Sequence, residues 1–402
     1  MTSAIAFGWP RRLIALIALI ALIGLSFAPR PAAAQRSDTL RLPLLWSVVE
    51  GEHPTADSLG KLTGIAVDAR GNVYVSDFAE HKIWVFDMRG RSQRAIGRQG
   101  QGPGEFLAPT GIAIGPDGKL YVRDQGHVSR FAADGATGRL SRYETRYNGG
   151  AMNDWTSTLA SRFDAQGRLY YPSFNVMDQS RQMGEWWIFS PAGARVDSIA
   201  VPVIENVPSG WASVRLSAGS GRILPGLNRA PFTGMPSWDI TPRGTVLYTS
   251  GREYVIREVD RSGRLVREFR RATPALRIPA GERRDSLAAL RLRLDSIANI
   301  PRAQISGIPD DVWALRLPET YAPILDVFAA PDGLVWVRRW VPNGHARSVF
   351  DVFEADGRFK TVVELPANLV PGITPVLTLT AVAGIGSDPE TGAMTVLRFG
   401  AR

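Results

Sequence analysis

The sequence predicts an all-β fold, a six-bladed β-propeller that is closed by an N-terminal strand and carries a helical insertion between blades 4 and 5. Three observations lead to this prediction: a strand pattern repeats at blade spacing, one unpaired apolar segment precedes the first repeat, and two longer stretches interrupt the later repeats. A repeat of about 40–50 residues with several short strands is typical of a propeller blade.

Two clean repeats establish the period. Residues 64–77 and 111–124 align 47 positions apart, and each contains an apolar strand, a turn with glycine and a second β-rich strand. Fainter copies follow at 163–173, 240–250 and 328–340, and each leads to a third strand and its turn. The C-terminal tail supplies only about three strands of a sixth blade, so this blade needs a strand from elsewhere.

The apolar segment Leu40–Val49 is the predicted source of that strand. Pairing it outside the C-terminal strand would close the ring and remove an exposed edge that could template aggregation. Pro43 suits an outer strand, because its missing N–H donor can face solvent there.

The N-terminus has the pattern of an export signal. Two arginines precede the uninterrupted apolar run Leu13–Leu25, and small residues end in Ala32–Ala34. Such a run is shorter than the ~20 residues that a membrane-spanning helix needs. We therefore expect a secretory signal peptide over 1–34, a single propeller domain over 35–402, no transmembrane span after signal removal, and a periplasmic or secreted location; an uncleaved anchor is the alternative.

Composition excludes several classes of function. The chain has no Cys, which excludes disulfides, thiolate metal sites and a cysteine nucleophile. Its net charge of +9 falls to +6 when the three arginines of the signal are removed. Residues 257–293 hold eleven Arg against five acids, a basic segment that could attract nucleic acid or other polyanions. Because export conflicts with RNA binding, no nucleic-acid partner is expected.

The two interruptions should lie on one face of the propeller. They cover about 205–236 and 273–322, and both connect the outermost strand of one blade to the innermost strand of the next. Such connections emerge on the same side of the propeller as the loops between the second and third strands of each blade. We call this side the insertion face. The opposite side, the turn face, keeps short turns. Binding residues are expected on the insertion face.

The second insertion should contain a helix. Apolar residues recur at helical spacing at Leu287, Leu290, Leu294 and Ile297. The helix could be a lid or docking element across the channel mouth, or it could be a plug that only covers apolar surface.

The clean repeats resemble a known family. GIAVDARGNVYVSDFAEHKIWVFDMRGR and the connector GRQGQGPGEFLAPTGIAI resemble the NHL repeat of six-bladed β-propellers, in particular exported bacterial proteins of undefined function. The resemblance is strong over 61–135 and weaker, but in register, to residue 402. It implies the fold and little about activity.

Three histidines suggest a metal site. His81, His127 and His345 follow the second strands of their repeats and should point to the insertion face, where three imidazoles could hold Zn²⁺ with an open position. This resembles the peptidyl-hydroxyglycine lyase branch of related propellers, whose metal ligands are His. That branch is disulfide-linked and this chain has no Cys, so solvated hairpin histidines are the alternative.

Asp77 and Asp124 end the second strands of the clean repeats. They could act as general bases or cation ligands at the channel mouth. Alternatively, their carboxylates accept hydrogen bonds from N–H groups of the following turn, which is the usual role of Asp at such positions.

Aromatic and arginine side chains supply further candidates for ligand binding. Trp155, Trp211 and Trp313 fall in connectors of the insertion face, where their rings could stack on sugars or hold a peptide, and Arg339 ends the second strand of the fifth repeat. Trp336 and Trp340 belong to a set of tryptophans that are mostly interpreted as blade core alternating with the faces.

The sequence therefore predicts an exported binding module that presents its loop-rich face to a protein, a peptide or a cell-envelope glycan, with no cofactor. A metal-dependent lyase or hydrolase using Zn or Ca at the His site is the alternative. The glycines of GRQGQGPGEF are followed by a strand instead of a helix, so they do not predict a nucleotide site.

Overall fold

The computed structural model describes residues 39–49, 59–124, 127–131, 160–173, 184–202, 213–215, 221–224, 227, 229–342, 347–388 and 391–401. These residues belong to one compact unit, Thr39–Arg402. The predicted signal peptide, residues 1–34, lies outside the described residues.

The strands of the described ranges form the six predicted blades, so the fold class is confirmed. Two N-terminal strands come first, β1 (Thr39–Arg41) and β2 (Leu44–Val49). Blade 1 is β3 (Leu62–Val67), β4 (Val73–Asp77), β5 (Lys82–Phe86) and β6 (Ser92–Ile96); blade 2 is β7 (Pro109–Ile114), β8 (Leu120–Asp124) and β9 (His127–Phe131); blade 3 is β10 (Arg162–Phe163), β11 (Leu169–Ser173), β12 (Glu185–Phe189) and β13 (Arg195–Ala200).

The remaining elements include both insertions. The first insertion holds β14 (Ser213–Arg215) and β15 (Gly221–Ile223), and blade 4 is β16 (Ser237–Ile240), β17 (Val246–Thr249), β18 (Val255–Val259) and β19 (Leu265–Arg270). The second insertion holds α1 (Ala280–Asp295), a 3₁₀ turn (Arg302–Gln304), β20 (Ile305–Ser306) and α2 (Asp310–Trp313). Blade 5 is β21 (Asp326–Ala329), β22 (Val335–Arg339), β23 (Ser348–Phe353) and β24 (Phe359–Leu365); blade 6 is β25 (Val376–Leu377), β26 (Ala381–Ser387) and β27 (Met394–Gly400).

The apolar core lies between neighbouring blades. Every residue of β4 is buried, since the middle strands of a blade are covered on both faces by the adjacent blades. Between blades 6 and 1, for example, Val75 and Trp84 share a cluster with Ile385 and Val396. The outer strand β6 instead alternates between half-buried and exposed residues. This arrangement leaves the strand ends and loops to form the two faces.

The N-terminal strand closes the ring as predicted. β2 pairs antiparallel with β27, and Leu44 lies opposite Phe399. The predicted single strand over 40–49 is in fact two strands, because β1 pairs parallel with β24 of blade 5 before the chain crosses to blade 6. Pro43 lies at the crossing, where its ring fixes φ and its missing N–H would interrupt a continuous ladder.

Both insertions pack together on the insertion face, as predicted. β14 of the first insertion pairs antiparallel with β20 of the second. A Cβ on Gly234 would lie 2.2 Å from the carbonyl carbon of Gly251, so the first insertion rests directly on the β17–β18 loop of blade 4. The φ of Gly251 is +72°, a conformation that favours glycine at this close approach.

Helix α1 covers an apolar cluster shared by both insertions. Leu290 is buried in this cluster with Phe232 and Val312, and Leu287 and Leu294 pack against it. Ile297 is also buried, but the helix ends at Asp295 and leaves it in the following turn. These contacts support the interpretation of the helix as a cover for apolar surface.

The inner strands of the blades surround a central cavity of ≈ 380 Å³ that extends to the short turns of the turn face. Within the described part of the chain, no helix combines the length and the apolar character that crossing a membrane requires.

Candidate functional site

A large cavity lies on the insertion face, between blades 4 and 5. It has a volume of ≈ 830 Å³, and we call it the blade 4–5 cleft. Its walls are the β17–β18 loop, the β22–β23 loop and the two ends of the second insertion, at residues 271–276 and 320–323. A second cavity of ≈ 400 Å³ shares Arg252, Thr320 and Tyr321 with the cleft and reaches the first insertion.

A buried carboxylate organises one wall of the cleft. Asp351 is 0% exposed and forms ion pairs with Arg271 and with Arg339, whose Nε lies 3.5 Å from its Oδ1. Tyr254 donates a hydrogen bond of 2.5 Å to Oδ2 of the same carboxylate. Burial, and then the charge of Asp351, raise the pKa of Tyr254 well above its usual value. The phenol is therefore a fixed donor, and the two guanidinium groups are held at the cleft wall.

Two further arginines line the cleft without such an anchor. Arg252 and Arg347 are exposed, and neither forms an ion pair with another residue of the described ranges. Glu364 is a carboxylate of the lining, and Arg41 lies 3.3 Å from it. The cleft therefore presents more positive than negative charge to a ligand.

An aromatic stack also supports the cleft lining. The rings of Tyr321 and Trp340 are stacked with centroids 5.9 Å apart, and Phe232 of the first insertion meets Tyr321 edge-on at 5.5 Å. Tyr321 also donates a hydrogen bond of 2.5 Å to Glu282 of α1. The helix thus positions the cleft wall, but its own residues do not line the cleft.

Of the residues predicted to bind ligand, Arg339 lies in the cleft. Trp313 lies in α2, where its ring packs against the insertion cluster and under the guanidinium of Arg302 at 4.4 Å. It does not line the cleft. Trp155 and Trp211 lie outside the described residues, and their assignment stays a prediction.

Asp77 is fully buried and bonded within blade 1. Its carboxylate accepts hydrogen bonds from the backbone N–H groups of Gly60, Ala79 and Glu80 and from Nε1 of Trp84. Four donors satisfy this carboxylate inside the fold, which supports the alternative that it stabilises the turn.

Asp124 occupies the equivalent place in blade 2. It is 1% exposed and accepts hydrogen bonds from the N–H groups of Leu107 and Ala108. Neither this aspartate nor Asp77 lines the blade 4–5 cleft.

The proposed metal ligands are only partly described. His81 has a φ of +55° in the β4–β5 turn, and Nε2 of His127 lies 3.7 Å from Oδ2 of Asp124. His345 lies outside the described residues. Among the residues that are described, no group of three or more His, Asp or Glu is placed to hold a metal ion. The three-histidine site stays a prediction.

The basic segment 257–293 does not form one free patch. Arg257 of β18 pairs with Glu268 of β19 at 2.6 Å, and Arg264 pairs with Asp260 at 3.1 Å in the turn between these two strands. The segment contributes Arg271 to the cleft instead.

Asp351 was not among the residues predicted from the sequence. Trp336 is fully buried in blade 5, whereas Trp340 follows the end of β22 and lines the cleft, so of these two tryptophans only Trp336 is blade core. A signal for Asp351 exists in the strand SVFDVF, where one acid interrupts an apolar run. A buried charged side chain requires a partner, so an acid in this apolar strand indicates a polar network around Asp351.

Comparison with known families supports the fold. Residues 58–137 match the sequence model of a family described as DUF5128, 6-bladed beta-propeller. The match covers about a fifth of the chain. No curated protein matches the sequence.

Solved structures similar to this chain have diverse functions. A putative exported protein from Bacteroides fragilis has a TM-score of 0.44 and 11% identity, covering 90% of this chain and 100% of that one. A PQQ-bound aldose sugar dehydrogenase from Streptomyces coelicolor has a TM-score of 0.43 and 14% identity, covering 89% and 99%. Virginiamycin B lyase from Staphylococcus aureus has a TM-score of 0.41 and 12% identity, covering 88% and 98%. These likenesses carry no argument about activity.

Proposed function

We propose that the protein is an exported, periplasmic or secreted binding module whose ligand, a protein segment, a peptide or a cell-envelope glycan, occupies the blade 4–5 cleft. The observation that carries the proposal is the cleft itself. It is ≈ 830 Å³ in volume, lies where both ends of the second insertion meet blades 4 and 5, and contains the predicted ligand residue Arg339. Cavities of about 300–1,000 Å³ with a few convergent polar groups are typical of binding sites.

The chemistry of the lining supports binding. Guanidinium groups and aromatic rings are the groups that most often anchor ligands at protein interfaces. Arg339 and Arg271 are fixed by the buried Asp351 before any ligand arrives, which lowers the entropy lost on binding. The raised pKa of Tyr254 keeps its phenol protonated at neutral pH, which suits a donor and not a general base.

The proposal is tested by filling the cleft. Ala275 is exposed and lines it, so Ala275→Trp adds an indole to the cavity and removes no contact of the core. Ala298→Trp is the matched control, because Ala298 is exposed on the same insertion but does not line the cleft. The purified variants are immobilised and incubated with cell-envelope extract of the source organism, and the retained material is quantified.

We expect Ala275→Trp to reduce the retained material at least tenfold and Ala298→Trp to leave it within twofold of the unsubstituted protein. Equal retention by all three proteins would place the binding site elsewhere and overturn the proposal.

A further inference from the structure

We infer that the ligand of the blade 4–5 cleft is a peptide segment that carries acidic side chains. This inference rests on the proposed function and adds the chemical class of the ligand. Three features of the cleft support it: its charge, the fixed position of two cations, and the character of its walls.

Charge comes first. Among the described residues, four guanidinium groups line the cleft, and only two carboxylates lie near them, Asp351 behind the wall and Glu364 at the edge. Arg252 and Arg347 are exposed and form no ion pair with the described part of the chain. They can each accept a carboxylate without giving up an existing partner.

Position comes second. Asp351 holds Arg271 and Arg339, which are roughly one quarter and one third exposed at 26% and 31% of their side chains. A guanidinium has five N–H donors in a planar fork, so a group that is held by one carboxylate can still donate to a second one. Two anchored and two free arginines therefore provide donors for more than one acidic side chain.

The walls favour a peptide over an acidic sugar. A sugar needs an exposed ring face to stack on, but Tyr321 and Tyr254 are only 4% and 7% exposed, and the half-buried ring of Trp340 is stacked on Tyr321. The wall formed by residues 272–275 has no regular secondary structure, and the N–H groups of Thr273 and Ala275 donate no backbone hydrogen bond within the described ranges. Such a free backbone can pair with an extended peptide.

The test measures binding of fluorescein-labelled probes to the full-length mature protein by anisotropy. The first probe is a decapeptide of alternating Glu and Ala, and its matched counterpart has Gln at every Glu. A polygalacturonate oligomer is the acidic-glycan probe. We expect the Glu peptide to bind at least tenfold more tightly than the Gln peptide, with affinity that falls as salt rises from about 0.05 to 0.3 M.

The cleft variant is Arg252→Gln with Arg347→Gln. The matched control is Arg284→Gln with Arg291→Gln, because both residues are exposed on α1, do not line the cleft, and remove the same net charge. We expect the cleft variant to weaken binding of the Glu peptide at least tenfold and the control to change it less than twofold. All four residues are exposed, so both variants should unfold like the parent protein, which a thermal scan verifies.

Equal loss in both double variants would assign binding to the general positive field of the protein and overturn the inference. Equal affinity for the Glu and Gln peptides would do the same. If only polygalacturonate binds, and with the same dependence on Arg252 and Arg347, the ligand is an acidic glycan and the peptide inference is wrong. If no probe binds but Ala275→Trp still abolishes capture from envelope extract, the ligand class is wrong and the proposed function stands.

Discussion

Blades 1 and 5 each bury an aspartate completely, but the two carboxylates have different roles. Asp77 in blade 1 stabilises a turn, whereas Asp351 in blade 5 holds two arginines at the cleft. Strand β22 follows Gly333 as β4 follows Gly71, so Arg339 occupies the place of Asp77. The strand pairing places Asp351 opposite Val337, as it places Trp84 opposite Val75. In blade 1 the carboxylate ends strand β4 and accepts a hydrogen bond from Trp84.

Blade 5 exchanges donor and acceptor at these two positions. The carboxylate of Asp351 is inside, and the cation of Arg339 ends the strand and faces the cleft. The aspartate that recurs at this position in blades 1 and 2 stabilises a turn. Where blade 5 has Arg339 instead, the strand end becomes a charged surface. A search for function in a repeat protein should therefore begin where the repeat is broken.

The largest expected effect is that of Asp351→Ala. The substitution leaves Arg271 and Arg339 without their counter-charge and Tyr254 without its acceptor. Removing one member of a buried ion pair costs about 3–5 kcal/mol of the free energy of unfolding. Urea unfolding at neutral pH measures the loss.

Asp356→Asn is the control, because Asp356 lies in an exposed turn of the same blade and should leave the free energy of unfolding nearly unchanged. A loss below about 1 kcal/mol for Asp351→Ala would mean that the two arginines are satisfied by water, and the contrast between the blades would disappear.

A smaller effect is expected in blade 1. Asp77→Asn turns one carboxylate oxygen into an NH₂ group that faces the donors of Gly60 and Trp84. We expect a loss of about 2 kcal/mol in the free energy of unfolding, since unpaired buried donors carry their full desolvation penalty. Binding of the Glu peptide by the folded variant should remain unchanged, and reduced affinity would argue against a purely structural role.

The smallest expected effect is a loss of stability at alkaline pH. Burial is the largest cause that raises the pKa of Tyr74 in blade 1 and of Tyr254 at the cleft. A group whose pKa is higher in the folded than in the unfolded state stabilises the fold below its unfolded pKa and loses that contribution as the pH rises. The free energy of unfolding should therefore fall above about pH 10.

Urea titrations between about pH 8 and pH 11 measure this slope. Tyr74→Phe and Tyr254→Phe should each make it shallower and cost about 1 kcal/mol at pH 8, because each loses one hydrogen bond. Only Tyr254→Phe should also weaken binding in the cleft. A slope that neither variant changes would show that other groups control the alkaline limit.

The elements that the sequence predicted correctly are those that local pattern determines. The 47-residue repeat placed the strands of the first blades, and the connector positions placed both insertions on one face. The hydrogen-bonding role of Asp77 was predicted as an alternative, since it depends on a turn that the sequence shows directly.

The site was predicted only in part because its partners come from distant positions. Tyr254 and Asp351 are 97 residues apart, and no local pattern connects them. Arg339 was among the predicted ligand residues and lies in the cleft, whereas Asp351, the carboxylate that pairs with it, was missed. Contacts between blades are set by the tertiary fold, which spacing alone does not reveal.

The crossing of the N-terminal segment from blade 5 to blade 6 has a consequence for how the chain matures. Thr39–Arg41 and Leu44–Val49 can pair with β24 and β27 only after nearly the whole chain has been synthesised. Joining chain ends this far apart is entropically costly and slow. N-terminal truncations that end before Thr39 should leave assembly of the propeller unaffected. Truncations that extend into Leu44–Val49 would remove the pairing with β24 of blade 5 and disrupt the pairing with β27 of blade 6.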